Sequence, residues 1–132
     1  MSEQRELVSP TELHPTPGFS HVTVAPAGRT VHVAGQGALA PDFSILGGDD
    51  LREQTVAAMR NLEIALASVG GGFEHVVRRT VYTTRPTEFA TITEAVEEVQ
   101  GSTEHPAQSI VGVTGLAVPG MLIEIEATAV VP

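Results

Sequence analysis

Residues 104–126 read EHPAQSIVGVTGLAVPGMLIEIE, and this stretch decides the fold. It contains parts of two runs in which apolar and polar residues alternate, Gln108–Gly115 and Met121–Val131, with a short turn between them. Alternation with a period of two is typical of half-buried strands, so the sequence predicts a strand, a turn and a strand. Glu124 and Glu126 would lie on the face of the second strand that points away from its isoleucines. They belong either to a solvated face or to the wall of a site.

The preceding chain predicts two helices and three further strands. Asp50 suits a helix N-cap, and Glu53 follows three residues later, as in a capping box. Both predicted helices carry an apolar stripe with spacings of three and four residues, and each ends at glycine. Strands are predicted at His21–Ala25, Thr30–Gly35 and His75–Thr84, of which the first two should pair as a hairpin. The order is β-β-α-β-α-β-β, an α+β fold with both helices on one face of the sheet.

Two more expectations concern the N-terminal segment and the face of the sheet that the helices leave uncovered. Residues 1–18 show no periodicity and predict a loosely held arm, which leaves residues 19–132 as a single domain. Two helices can cover only one face of the sheet, whereas apolar residues are predicted on both. We therefore expect another subunit to cover the second face. The apolar residues in question are Ile110, Val111, Val113, Leu122 and Val130.

Composition excludes several classes of function. The chain has no cysteine, so it has no disulfide and no cysteine-based catalysis. Seven basic against 16 acidic residues give a net charge of −9, which argues against binding nucleic acid. The five histidines lack the spacing of a metal site, so we expect no metal and no cofactor. No membrane span or signal peptide is evident, and we expect a cytoplasmic protein without membrane partners.

Three stretches resemble the Rid family of reactive intermediate deaminases, also called YjgF proteins. The first is Pro106-Ala107-Gln108-Ser109-Ile110 followed by Leu122–Ala127, and the others are Val31–Gln36 and Glu53–Thr55 with Asn61-Leu62. The resemblance covers about residues 17–131. It implies a chorismate-mutase-like fold and a homotrimer with a small-molecule cleft at each subunit interface.

The resemblance also implies the site residues. Glu124 falls where the family's glutamate orients or activates water for attack on an imine carbon. A strand carboxylate taken alone is more often a solvated one, and the matched motif reverses this preference. Gln108 falls where the deaminases have an arginine that grips the substrate carboxylate. Glutamine has no charge and no bidentate donor fork, so a 2-imino acid should bind poorly. A plain polar strand residue is an equal alternative for Gln108.

Four further positions are implied as ligand contacts. Phe19 keeps the ring of a cleft tyrosine without its hydroxyl, and Thr93 stands where the deaminases often have asparagine. Gly35 and Ile110 would contribute backbone groups. Three changed polar positions suggest a ligand different from that of the ordinary deaminases.

Three functions follow from this reasoning. The leading one is a Rid-like trimer that adds water to a small reactive enamine, imine or related carbonyl compound, with Glu124 and Gln108 as catalytic residues. The second is a non-catalytic trimer that binds a small ligand or acts as a scaffold. The third and weakest is an endoribonuclease, because the chain is acidic.

Overall fold

The structure is a computed structural model and describes residues 4–132. It contains two helices and six strands within that range, with one short 3-10 turn at Phe73–His75. The strands are β1 (Glu6–Val8), β2 (Val22–Val24), β3 (Arg29–Gly37), β4 (Val76–Thr83), β5 (Ala107–Gly112) and β6 (Ile123–Val131). The helices are α1 (Leu51–Ala67) and α2 (Phe89–Gln100). No helix in residues 4–132 is both long and apolar enough to cross a membrane.

The main sheet has four strands in the order β3-β6-β4-β5. Strand β6 is antiparallel to both of its neighbours, and β5 runs parallel to β4. The alternation of β6 sends Ile123, Ile125 and Ala127 into the core that α1 and α2 cover. The predicted α+β fold with both helices on one face is confirmed.

The helix boundaries follow the capping chemistry of the sequence. Asp50 is the N-cap of α1, and its carboxylate accepts a hydrogen bond from the backbone N–H of Glu53 at 2.9 Å. Helix α2 ends at Gly101, which adopts the left-handed conformation with φ of 68° that favours glycine. Met59, Leu62 and Ile92 lie on the inner stripes, and each is at most 1% exposed. These stripes close the core over the sheet.

The predicted hairpin is wrong. Strand β2 pairs with β1, where Leu7 faces Thr23, and these two strands form a separate sheet. Strand β3 pairs instead with β6 at the far end of the chain. Residues 1–3 of the predicted arm lie outside the described residues, and within the rest of the arm residues 6–8 form β1. A three-residue strand that pairs with a distant segment leaves no periodic signal in the sequence.

The expected apolar patch on the uncovered face is also wrong. Leu122 and Val130 are buried within the chain at 8% and 7% exposure, and Ile110 packs against the core. Among the five apolar residues expected there, Val111 is the large exposed one, at 40%. The uncovered face of β6 instead carries Glu124, Glu126 and Thr128, which alternate with the core residues. The homotrimer therefore stays a prediction that rests on the resemblance alone.

A buried glutamine on α1 joins the helix to two loops. Gln54 is fully buried, and its amide nitrogen donates to the carbonyl oxygens of Gly48 at 2.7 Å and Gly120 at 2.9 Å. Its amide oxygen accepts from the backbone N–H of Leu122 at 2.9 Å. One side chain thus satisfies a backbone group in the loop before α1 and two backbone groups just before β6.

We predict that Gln54→Met destabilises the protein by about 2–4 kcal/mol, because it leaves three backbone groups without their partner. Urea denaturation at a fixed protein concentration measures the loss. Arg60→Gln, on the exposed side of the same helix, is the control and should stay within about 0.5 kcal/mol of the wild type. A Gln54→Met variant as stable as the control would contradict this role.

Candidate functional site

Glu124 occupies the face of the sheet that the helices leave uncovered. It pairs with Gly37 of β3 on one side and with Tyr82 of β4 on the other. Its side chain lies across Gly35, where a Cβ atom would be 2.3 Å from the Glu124 Oε1 atom. Any side chain at position 35 would therefore displace the carboxylate. Within residues 4–132, the side chain of Glu124 makes no hydrogen bond and no ion pair, so its carboxylate is available to a ligand or to water.

Glu126 differs from Glu124, although both lie on the same face. The Tyr82 hydroxyl donates a hydrogen bond of 2.8 Å to Glu126 Oε1. That bond and the nearby negative charge raise the pKa of the Tyr82 hydroxyl. The structure thus distinguishes an engaged carboxylate at 126 from an unengaged one at 124.

Gln108 lies elsewhere in the same subunit. Gln108 on β5 is the cross-strand partner of Arg79 on the parallel strand β4. Its side chain is on the helix-covered side of the sheet. Arg79 is also the cross-strand partner of Ala127 on β6, which lies three residues beyond Glu124. One subunit alone therefore does not bring Gln108 and Glu124 together.

Phe19 and Thr93 belong to the half of the molecule that contains Gln108. Gly18 packs so closely on Thr93 that a Cβ atom at position 18 would be 2.4 Å from the Thr93 hydroxyl oxygen. The backbone N–H of Ser20 donates to the carbonyl of Pro106 at 3.1 Å, which fixes this segment beside the start of β5. The predicted site residues thus form two groups: Phe19, Thr93, Gln108 and Ile110 in one, Gly35 and Glu124 in the other.

The sequence analysis missed a buried arginine behind Gln108. Arg79 is 3% exposed, and its Nε atom donates to the Gln108 amide oxygen. Its Nη2 atom donates to His105 Nδ1 at 2.7 Å and to the carbonyl of Gly18 at 3.3 Å. The Nη1 atom donates to Gln100 Oε1 at 3.3 Å. The only signal in the sequence was the pair Arg78-Arg79 in an apolar strand, which does not show that the second arginine points inward.

His105 connects this arginine to a carboxylate. Arginine can only donate, so His105 Nδ1 accepts and the ring proton sits on Nε2. Nε2 is 2.6 Å from Glu97 Oε2, to which it donates. Burial lowers the pKa of His105, the bond to Glu97 opposes this shift, and the cations of Arg79 and Arg5 lower the pKa further. His105 is therefore neutral at pH 7.

Burial also acts on the arginine. It lowers the pKa of Arg79 to about 9, with the charge of Arg5 acting in the same direction and that of Glu97 opposing it. The guanidinium still carries its charge at pH 7. In residues 4–132 we find no group of three or more His, Asp or Glu side chains that could hold a metal ion.

The chain shares its sequence pattern with one family over most of its length. The profile of the family described as endoribonuclease L-PSP matches residues 10–131. The protein therefore belongs to this family, which includes the Rid and YjgF proteins.

Individual relatives agree with this assignment. A RutC family protein of Pyrococcus abyssi is 32% identical over 119 residues, which span 90% of this chain and 92% of the relative. A 2-iminobutanoate/2-iminopropanoate deaminase of Mus musculus is 34% identical over 103 residues, 77% of this chain and 74% of the relative. The solved structure of a Rid family protein from Yersinia pestis superimposes with a TM-score of 0.89 at 36% identity, covering 97% of this chain and 99% of that one.

We predict that His105 makes the protein less stable as the pH falls below about 6.5, the ordinary pKa of histidine. Its folded pKa lies below the unfolded value of about 6.5, so the unfolded chain binds the proton first as the pH falls. The contribution of the neutral ring is complete above about pH 6.5. Below that pH the free energy of unfolding decreases by at most about 1.4 kcal/mol per pH unit. The decrease stops at the pKa that His105 has in the folded protein.

Denaturant unfolding between pH 7 and pH 5 measures this dependence. His105→Gln should have a smaller slope than the wild type over that range, because the titrating group is gone. His32→Gln, at an exposed histidine, controls for the loss of a histidine and should keep the wild-type slope. Equal slopes for all three proteins would contradict the prediction.

Proposed function

We propose that the protein is a Rid-like enzyme that adds water to a small reactive enamine, imine or related carbonyl compound. The carboxylate of Glu124 carries this proposal: it lies across Gly35 on an uncovered face and no described group engages it. A general base has to be within hydrogen-bond reach of the water it activates, and an unengaged carboxylate meets that requirement. Similarity to 2-iminobutanoate/2-iminopropanoate deaminases supports the same assignment.

The chemistry needs one carboxylate and one water. Glu124 takes a proton from water while the water oxygen bonds to the imine carbon and the carbon–nitrogen π electrons move to nitrogen. The protonated Glu124 returns this proton to the nitrogen, which gives a neutral carbinolamine. Glu124 then takes the proton of the carbinolamine hydroxyl and passes it to the nitrogen while the carbon–nitrogen bond breaks, so that a carbonyl compound and ammonia leave. An enamine enters the same path after it tautomerises to the imine, gaining a proton at carbon and losing one from nitrogen. Glu124 therefore acts first as base and then as acid.

Gln108 makes a 2-imino acid a poor substrate in this proposal. A neutral amide offers no charged fork to a carboxylate, and the lost pair is worth about 1.5–3 kcal/mol. Restoring the fork by Gln108→Arg alone would place a second guanidinium against Arg79, whose Nε already donates to position 108. A neutral imine or enamine with a carbonyl oxygen fits the present residues better.

The two groups of site residues support a site shared between subunits. Gln108 and Glu124 are on opposite faces of one sheet, so a second copy has to supply one of them. This is the arrangement that the resemblance implies for a homotrimer. The ligand would then lie between the Glu124 of one subunit and the Gln108 of the next.

We predict a particle of three 13.8-kDa chains, about 41 kDa. Light scattering at micromolar protein concentration measures this mass. A stable monomer would remove the shared cleft and with it the proposed site.

Two other functions compete with this one. A trimer that only binds a ligand would keep the site and lack turnover. An endoribonuclease is suggested by the description of the matched family, but the net charge of −9 repels a phosphate backbone. Incubation with single-stranded RNA at physiological salt is expected to give no cleavage.

We predict that Glu124→Gln lowers kcat for ammonia release by at least about 100-fold, the usual contribution of a general acid or base. An amine oxidase supplies neutral imines and an amino-acid oxidase supplies 2-imino acids, and ammonia is followed with time. The neutral imines should be the better substrates. Glu126→Gln keeps an acceptor for Tyr82 and is the matched control, with activity near that of the wild type.

The outcome separates the competing functions. Acceleration by the wild type that Glu124→Gln abolishes supports the enzyme. No acceleration with either imine class, together with ligand binding that Glu124→Gln leaves unchanged, supports the binding protein. Faster reaction with 2-imino acids than with neutral imines would refute the role given to Gln108.

A further inference from the structure

The side-chain amide of Gln108 accepts a hydrogen bond from a buried cation, Arg79. Arg79 is 3% exposed, and each hydrogen bond that it makes within residues 4–132 goes to a neutral acceptor. The acid nearest to it in the network is Glu97, on the far side of His105. The positive charge of Arg79 is therefore compensated only indirectly, and it acts on the group that lies in front of it.

This contact fixes the orientation of the glutamine. Arginine has no acceptor, so the atom of Gln108 that faces Nε has to be the amide oxygen. The Gln108 amide nitrogen then points away from Arg79. Every buried side-chain nitrogen in the described chain has a hydrogen-bond partner. The Gln108 amide nitrogen has none, so it is not buried and is accessible to a ligand.

We propose that Arg79 is a positioning residue that fixes Gln108 as a hydrogen-bond donor, so that this part of the cleft accepts a ligand oxygen. The inference rests on the proposed function, because it assigns the ligand group that the Gln108 side of the site recognises. The group is a carbonyl or carboxylate oxygen. A ligand that offers only N–H donors at this point would meet another donor and be rejected.

Two physical effects make this arrangement work. A hydrogen bond from a cation to the amide oxygen polarises the amide and strengthens its N–H donors, because hydrogen bonds in a chain act cooperatively. The fixed orientation also removes the amide flip and much of the side-chain freedom that a ligand would otherwise have to restrict. The charge of Arg79 thus reaches the ligand through a neutral side chain.

Nuclear magnetic resonance of the whole, 15N-labelled protein tests the orientation. The side-chain N–H2 resonances of Gln108 are assigned by their absence in Gln108→Met. Pyruvamide and pyruvate, which carry oxygen acceptors, should move these resonances, and isopropylamine, which carries none, should leave them in place. Resonances that no acceptor probe moves would overturn the proposal without any variant of Arg79.

A double-mutant cycle tests whether Arg79 acts through Gln108. Arg79→Lys keeps the charge but loses the donor geometry, and it should raise the Kd for pyruvamide by about three- to tenfold, the range of one hydrogen bond. In the Gln108→Met background the same change should have no further effect. Arg60→Lys is the matched control on the surface of α1 and should stay within about twofold of the wild type.

The possible results have distinct meanings. Equal effects of Arg79→Lys in the presence and absence of Gln108 would show a merely structural role and overturn the proposal. If Arg79→Lys does not fold, the probe titration of the wild type decides the question. Binding is measured without turnover, so a failure of catalysis refutes the proposed function and leaves this inference standing.

Discussion

The buried guanidinium of Arg79 constrains how four segments of this structure pack together. Removing a charge from water costs several kcal/mol, and the chain meets that cost by placing acceptors around it from several elements. They come from β5, from the end of α2, from the loop before β5 and from the segment at Gly18. Gly18 is 61 residues from Arg79 in sequence, so a single cation joins the N-terminal part of the chain to the edge of the main sheet.

The same strand separates the two groups of site residues. Arg79 points toward the helices, and the alternation of side chains along β4 sends Tyr82 to the opposite face, beside Glu124 and Glu126. A site that needs both the N–H donor of Gln108 and the carboxylate of Glu124 therefore cannot close within one subunit. The shared cleft that we propose would bring the two groups together from neighbouring copies.

The predictions from sequence were right where the signal was local. The alternation of β6 and the N-cap at Asp50 each depend on residues within a few positions, and the structure confirms both. The pairing of β2 with β1 was missed because the strands are three residues long and their partners are set by tertiary contacts. The apolar patch was wrong because Leu122 and Val130 turn into the chain, which depends on packing rather than on composition.

The interpretation of Gln108 shows the limit of reading positions one at a time. Glutamine in place of arginine looks in the sequence like the simple loss of a cation. The parallel register of β4 and β5 places Arg79 directly beside it, so a cation remains at this end of the sheet, one strand away and behind the amide. Positions 79 and 108 are 29 residues apart, and no periodicity in a single sequence connects them. Because the two side chains share one hydrogen bond, neither can change without altering the other. In the role that we propose for Gln108, specificity is a property of the pair and not of the glutamine alone.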